Sequence, residues 1–242
     1  MALYDRKPIG NNAENFSNYD TQYSENSLAQ NDIALVSFVK QTYQLFAASL
    51  LAATAGAFVG VSSLGDMISQ YYIGFVILEF VLLFGLIFAK SKPGLNLILL
   101  FGFTFITGLT LTPILSRTLG LPGGANIIAQ AFLLTTAIFG VMSIFALRTK
   151  KDLANMGKML FISLIVVVIG SLINLFLGNP ILQVVIAGAG AILFSLFIAY
   201  DTQNIVRGLY DSPITAAVNL YLDFLNLFIS LLQILGIFSS RD

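Results

Sequence analysis

Residues 214–237 read ITAAVNLYLDFLNLFISLLQILGI, an apolar stretch long enough to cross a lipid bilayer as a helix. A membrane-spanning helix needs about 20 such residues. The chain of 242 residues is 57% hydrophobic and only 10% charged, whereas a soluble domain carries roughly 25% charge. Six more apolar stretches precede this one, at residues 41–62, 69–89, 95–115, 125–147, 159–177 and 181–201. The sequence therefore predicts an all-α membrane protein with seven transmembrane helices.

The charge and the missing residue types narrow the possible functions. Twelve Lys and Arg residues balance twelve Asp and Glu residues, so no nucleic-acid partner is indicated. The chain has no cysteine and no histidine. Disulfides and thiolate or imidazole metal ligands are thereby excluded, and rhomboid-type Ser–His catalysis is excluded too. Any proton sensing near neutral pH must come from carboxyl groups.

The chain divides into two parts. Residues 1–32 are polar and poor in aliphatic side chains, which predicts a disordered tail. Residues 33–242 form the membrane domain. Within it, the fifth and sixth spans lie so close in sequence that they must form a tight helical hairpin. Pro113 predicts a kink in the third span.

The distribution of positive charge predicts the orientation. Ten of the twelve Lys and Arg residues fall on the side of the amino terminus, and only Arg117 and Arg241 fall on the other. Cytoplasmic loops carry such an excess. We therefore expect a multi-pass protein with a cytoplasmic amino terminus and an external carboxyl terminus. The short length and the absence of an organelle signal favour the inner (plasma) membrane of a bacterium over an internal eukaryotic membrane.

A polar stripe runs along the last span. Its members are spaced by four, three, four and three residues, which places them on one face of a helix. This face cannot point at lipid, because unpaired polar groups there cost several kcal/mol. The stripe either makes hydrogen bonds between helices or lines a polar pathway. It consists of Asn219, Asp223, Asn226, Ser230 and Gln233.

Two aspartates on neighbouring spans are the leading functional candidates. A carboxylate near the centre of a membrane helix costs about 2.5–3.5 kcal/mol, so it is a functional hypothesis by default. Asp223 belongs to the stripe, and Asp201 ends the sixth span, where it could also be a simple interfacial carboxylate. If the two approach, they would share a proton and form a pH-sensitive latch. A third acid, Glu79 in the second span, fits either a structural or a pathway role.

Three segments resemble the transmembrane Bax inhibitor motif family, including its bacterial members. They read TGLTLTP at 107–113, FSLFIAYDTQNI at 194–205 and LYLDFLNLFISLL at 220–232. The resemblance implies seven helices with the last enclosed by the other six. It also implies a pH-dependent calcium leak gated by an aspartate pair, which falls here on Asp201 and Asp223.

Two further positions follow from the same resemblance. The acid of the second helix falls on Glu79, and Lys90 stands where some members have an arginine that can pair with the aspartates. Lysine lacks the bidentate fork of arginine. The resemblance also extends to a branch of the family that acts as an interaction protein and modulates a membrane-bound AAA protease. This role would use the cytoplasmic tail.

Three classes of function remain in view. The first is a cation conduit, because Asp201 and Asp223 offer the oxygen ligands that Ca²⁺ prefers, with Asn219, Asn226 and Ser230 as supporting groups. The second is an intramembrane aspartyl protease, which the absence of glycines before Asp223 disfavours. The third is a regulator that acts through the cytoplasmic tail on a membrane partner such as an AAA protease. We expect a non-enzyme without a cofactor, whose partners are the lipid bilayer and a calcium ion that it transports or binds.

Overall fold

A computed structural model describes residues 12–89 and 92–239, with side chains from Gln30 onward. Helices account for most of this part of the chain, and seven of them are long and apolar enough to cross a membrane, which confirms the predicted class. A 3-10 turn at Leu153–Met156 precedes α7. The helices are α1 (Asn12–Ser62), α2 (Gly65–Gln70), α3 (Tyr72–Ala89), α4 (Leu95–Thr110), α5 (Thr112–Leu119), α6 (Gly124–Arg148), α7 (Gly157–Leu177), α8 (Pro180–Val206) and α9 (Pro213–Ser239).

Helix α1 begins well before the first predicted span. It starts at Asn12 and continues without interruption to Ser62. The stretch 12–55 contains neither proline nor glycine, so nothing in it breaks a helix. The region predicted as a disordered tail is therefore helical from Asn12, and its first eleven residues lie outside the described part of the chain.

The third span is divided, as Pro113 predicted. Helix α4 ends at Thr110 and α5 begins at Thr112, with Pro113 in the first turn of α5. Proline has no N–H to donate to the preceding turn. At the junction, the Leu111 N–H is shared between the carbonyls of Thr107 and Gly108, at 3.3 and 3.2 Å. Together the two helices span Leu95–Leu119.

A tight hairpin joins α7 to α8, which confirms the second local prediction. Gly178 ends α7 with a φ of 60°, in the left-handed region that glycine adopts without strain. Asn179 then caps α8, because its Oδ1 accepts from the Ile181 and Leu182 N–H groups at 2.9 and 3.2 Å. Pro180 follows in the first turn, where its missing N–H costs nothing.

Small residues bring α1 and α4 into close contact. A Cβ on Gly108 would lie 2.1 Å from the carbonyl oxygen of Ala53, and one on Gly56 would lie 2.1 Å from that of Phe105. The backbones of the two helices therefore touch at these glycines. Small residues allow such close approach in membrane proteins, where packing drives association.

Helix α9 is the most buried span together with the third. It packs against α8, α1 and α6 and makes a smaller contact with α4. Phe224 of α9 lies edge-on to Phe46, Phe132 and Phe139, with ring centroids 5.8–5.9 Å apart. These contacts place α9 against four of the other helices, while its predicted enclosure by all six remains a prediction.

The connections define two ends of the bundle. At the first, which we call the aspartate end, α8 finishes at Val206 and α9 begins at Pro213. At the second, the far end, α7 passes into α8 at 178–179 and α5 passes into α6 at 120–123. The predicted orientation assigns the aspartate end to the cytoplasm.

Candidate functional site

The structure brings Asp201 and Asp223 together. Helix α8 continues to Val206, so Asp201 lies inside this helix rather than at its end, where the sequence placed it. Asp201 is 4% exposed and Asp223 is 6% exposed. Their carboxyl groups lie close enough for each to act on the charge of the other. Two carboxylates have only acceptors, so a hydrogen bond between them exists only while one of them holds a proton.

Helix α8 is longer than predicted because its last polar residues are buried. Thr202, Gln203 and Asn204 are among the least exposed polar residues of the chain. Gln203 supplies the reason, since its Oε1 accepts from the Leu153 N–H at 2.7 Å and its Nε2 donates to the Lys151 carbonyl at 3.0 Å. The loop between α6 and α7 therefore covers the end of α8 and satisfies its polar groups.

A second contact fixes the same loop. Arg207, just after α8, forms an ion pair with Asp152. Asp152 also accepts from the Ala154 N–H at 3.1 Å. The Ala154 N–H and the Arg207 guanidinium hold the pKa of Asp152 below its ordinary value. The aspartate end is thus closed on one side by this loop.

Tyr210 closes the site from the loop between α8 and α9. Its hydroxyl donates to Asp201 Oδ1 at 2.7 Å and accepts from Asn219 Nδ2 at 3.2 Å. Burial and the neighbouring carboxyl of Asp201 hold the pKa of Tyr210 well above its ordinary value. Tyr210 therefore stays a phenol, and a hydrogen-bond donor, throughout the physiological pH range. Sequence reasoning missed this residue, because a single tyrosine in a six-residue loop carries no pattern.

Two oxygen atoms at this site receive no hydrogen bond. Asp223 Oδ2 and Asn204 Oδ1 are both buried without a partner among the described residues. Buried polar atoms are almost always paired, and an unpaired one is costly. Asp223 Oδ2 is therefore a buried acceptor to which no described residue donates, and Asn204 Oδ1 is a second one three residues after Asp201 on α8. A proton or a cation is the species that satisfies such an acceptor.

The members of the polar stripe are buried or half-buried within the bundle. None of its five members is among the exposed residues. Asn226 Nδ2 donates to the Leu222 carbonyl at 2.7 Å, and Ser230 Oγ donates to the Asn226 carbonyl at 2.8 Å. These two side chains therefore bond within α9 itself, whereas Asn219 bonds to Tyr210 at the aspartate end.

Glu79 belongs to a different cluster. Its Oε2 accepts from Thr110 Oγ1 at 2.9 Å, at the end of α4. Thr107, one turn earlier, is hydrogen-bonded to the hydroxyl of Tyr221 on α9. Glu79 and Tyr221 thus bond to two threonines one turn apart on α4, and none of the hydrogen bonds of Glu79 reaches the aspartates. Lys90, the candidate partner of the aspartates, lies outside the described residues.

A resident metal site requires more ligands than the pair supplies. In the part of the chain that the structure describes, no group of three or more acidic, histidine or cysteine residues could hold a metal ion. Ca²⁺ takes six to eight oxygen ligands.

The seven apolar helices define a polytopic membrane protein. Its distinguishing feature is a pair of buried carboxyl groups on the last two spans. Comparison with known sequences makes this class specific. The profile of the family described as "Inhibitor of apoptosis-promoting Bax1" matches residues 35–240. The chain belongs to this family, which confirms the resemblance read from its motifs.

The relatives include bacterial and viral proteins. A Helicobacter pylori protein is 60% identical over the whole of both chains. An uncharacterized membrane protein of Vibrio cholerae is 35% identical, over 84% of this chain and 91% of its own. A vaccinia virus protein named Golgi anti-apoptotic protein is 35% identical over 66% of each chain. The membrane assignment is thus shared by a relative that is named for it.

Proposed function

We propose that this protein is a pH-sensitive calcium leak of the bacterial inner membrane, gated by Asp201 and Asp223. The observation that carries the proposal is the burial of both carboxyl groups, which lie close enough for each to act on the charge of the other. They belong to α8 and α9, the two helices that the loop 207–212 connects. A change in their charge therefore acts on the packing of adjacent spans.

Protonation would set the state of this gate. While the pair holds a proton, one carboxyl donates to the other and the ends of α8 and α9 stay together. When the proton leaves, two negative charges share a site of low dielectric constant, where their repulsion is strong. The helix ends then separate, or a cation enters between them. Flux should therefore rise as the pH rises.

Calcium is the cation that this chemistry fits. Asp201 and Asp223 supply hard carboxylate oxygens, and the unpaired Oδ1 of Asn204 lies one turn further along α8. Asn226 and Ser230 continue the polar face of α9 toward the far end, and Glu79 supplies a further carboxyl beside α4. These groups would be supporting positions of the pathway.

The direct test is Ca²⁺ entry into proteoliposomes that contain a calcium-sensitive dye. Asp223→Asn keeps the size of the side chain and removes its charge, so the variant should lose the pH dependence of the flux. Unchanged pH dependence in a folded Asp223→Asn protein would exclude the aspartate gate.

A second candidate function is a membrane regulator without transport. The name of the vaccinia relative, Golgi anti-apoptotic protein, favours it, and so does the description of the family as an inhibitor of apoptosis-promoting Bax1. In a bacterium the partner would be another membrane protein, such as an AAA protease, reached through the amino-terminal part of α1. Deleting residues 1–32 should then abolish the cellular phenotype, while aspartate variants retain it.

A further inference from the structure

A second polar site lies at the far end of the bundle, away from the aspartates. A cavity of about 450 Å³ opens there between the ends of α5, α7, α8 and α9. Four carboxamide side chains and one arginine line it, and no acidic residue does. They are Arg117, Asn174, Asn179, Gln183 and Gln233. The cavity thus differs from the surroundings of Asp201 and Asp223, where two carboxyl groups are buried.

The carboxamide oxygens of this cavity are already occupied. Asn174 Oδ1 accepts from the Asn179 N–H at 3.1 Å, and Asn174 Nδ2 donates to Gln183 Oε1 at 2.8 Å. Gln183 Nε2 donates in turn to Gln233 Oε1 at 2.8 Å. The fourth oxygen, on Asn179, accepts from the first N–H groups of α8. Each of the four carboxamide oxygens therefore already accepts at least one hydrogen bond.

The polar groups of the cavity that make no hydrogen bond within the described residues are donors. Gln233 Nε2, at the end of the chain of amides, donates to no other described residue. Arg117 forms no ion pair or hydrogen bond within the described part of the chain, where it is also the only Lys or Arg at the far end. The amino terminus of α8, a helix of 27 residues, adds partial positive charge. The cavity thus has an excess of donors and positive charge.

We propose that this cavity binds a phosphate group. The planar guanidinium of Arg117 matches two phosphate oxygens at once, and the Gln233 amide supplies a further neutral donor. The position fits as well, because Arg117 lies two residues before the end of the membrane-length segment Leu95–Leu119. Lipid phosphates lie at this depth, at the boundary of the hydrocarbon core. The phosphate can come from a lipid headgroup or from free phosphate, and the site does not depend on the proposed calcium leak.

The test measures the thermal unfolding midpoint of the purified full-length protein in a neutral detergent. A ligand that binds only the folded state raises this midpoint, by an amount that grows with the logarithm of the ligand concentration above its Kd. One arm adds inorganic phosphate. The other adds a short-chain phosphatidic acid, with the corresponding diacylglycerol, which lacks only the phosphate, as its control. A response to phosphatidic acid alone assigns the site to a lipid, and a response to inorganic phosphate alone assigns it to the free anion.

Arg117→Gln is the deciding variant. Arg117 is exposed, so this change leaves the packed core intact. It should weaken binding of the responding probe by about tenfold or more, the effect of losing one good charged hydrogen bond. Arg148→Gln, at the other end of the bundle, removes the same charge outside the cavity and should bind as the wild type does. Equal binding by the wild type and Arg117→Gln, or no response to either phosphate probe, would overturn the proposal.

Discussion

Tyr210 donates a hydrogen bond to Asp201 over 2.7 Å, so a phenol that holds its proton faces one member of a buried carboxyl pair. This hydrogen bond favours the ionised form of Asp201, because a donor stabilises a carboxylate more than a carboxylic acid. Tyr210 thereby opposes the tendency of the buried pair to keep a proton. The residue sits outside the membrane helices and acts on them from the loop that joins α8 to α9.

Replacing Tyr210 should therefore shift the pH at which the gate responds. Tyr210→Phe removes the donor to Asp201 and keeps the ring. Because the ionised carboxylate loses stabilisation, the pair should hold its proton to a higher pH, and the midpoint of calcium flux against pH should move upward. Flux assays in proteoliposomes measure this midpoint. Tyr200→Phe on α8 is a matched control, and a midpoint equal to that of the wild type for Tyr210→Phe would contradict the assigned role.

The close contact of α1 with α4 predicts a strong effect of a single methyl group. In Gly108→Ala the new Cβ would lie 2.1 Å from the Ala53 carbonyl oxygen, so the two backbones must separate. Such overpacking costs about 1–3 kcal/mol of unfolding free energy. Gly140→Ala is the control, because a Cβ on Gly140 meets nothing within 4 Å. Denaturant unfolding of both variants checks the difference, and equal stability would show that the helices do not touch there.

The loop that covers the end of α8 predicts a second stability effect. Gln203→Leu removes two hydrogen bonds and leaves the buried Leu153 N–H without its partner. Leaving one such group unpaired costs about 1–3 kcal/mol. Gln70→Leu changes the same side chain at an exposed position of α2 and should be nearly neutral. A Gln203→Leu variant as stable as Gln70→Leu would mean that the loop does not depend on this side chain.

Glu79 should behave differently from the aspartates. Its contact is with Thr110 rather than with the pair, so Glu79→Gln should leave the pH midpoint of flux unchanged. Gln keeps an oxygen that can accept from Thr110, so folding should be unaffected as well. A role in the pathway would lower the amplitude of flux at every pH. A shifted midpoint in Glu79→Gln would instead place Glu79 in the gate.

Features that depend on hydropathy and on local turn residues could be predicted from the sequence. It predicted the seven spans, the hairpin at Gly178–Asn179 and the break before Pro113, because each depends on residues adjacent in the chain. It also selected Asp201 and Asp223, because a carboxyl group inside an apolar span stands out from its neighbours.

The errors have a common physical cause. The sequence ended the sixth span at Asp201 because the residues that follow are polar, yet Gln203 is buried by the segment 149–156 between α6 and α7. Tyr210 was missed for the same reason, since its importance arises only when the loop at 207–212 folds back onto Asp201. Burial of polar groups at a helix end depends on contacts between distant segments, which periodicity does not contain.

The proposed gating of a calcium leak by Asp201 and Asp223 can be tested by measuring calcium entry into liposomes. Ca²⁺ entry into dye-loaded proteoliposomes would be recorded from about pH 5 to about pH 8 for the wild type, Asp201→Asn and Asp223→Asn, with folding confirmed for each. We expect flux through the wild type to rise with pH, and each variant to lose most of this dependence. Wild-type flux that is absent at every pH, or variants whose profiles match that of the wild type, would contradict the account.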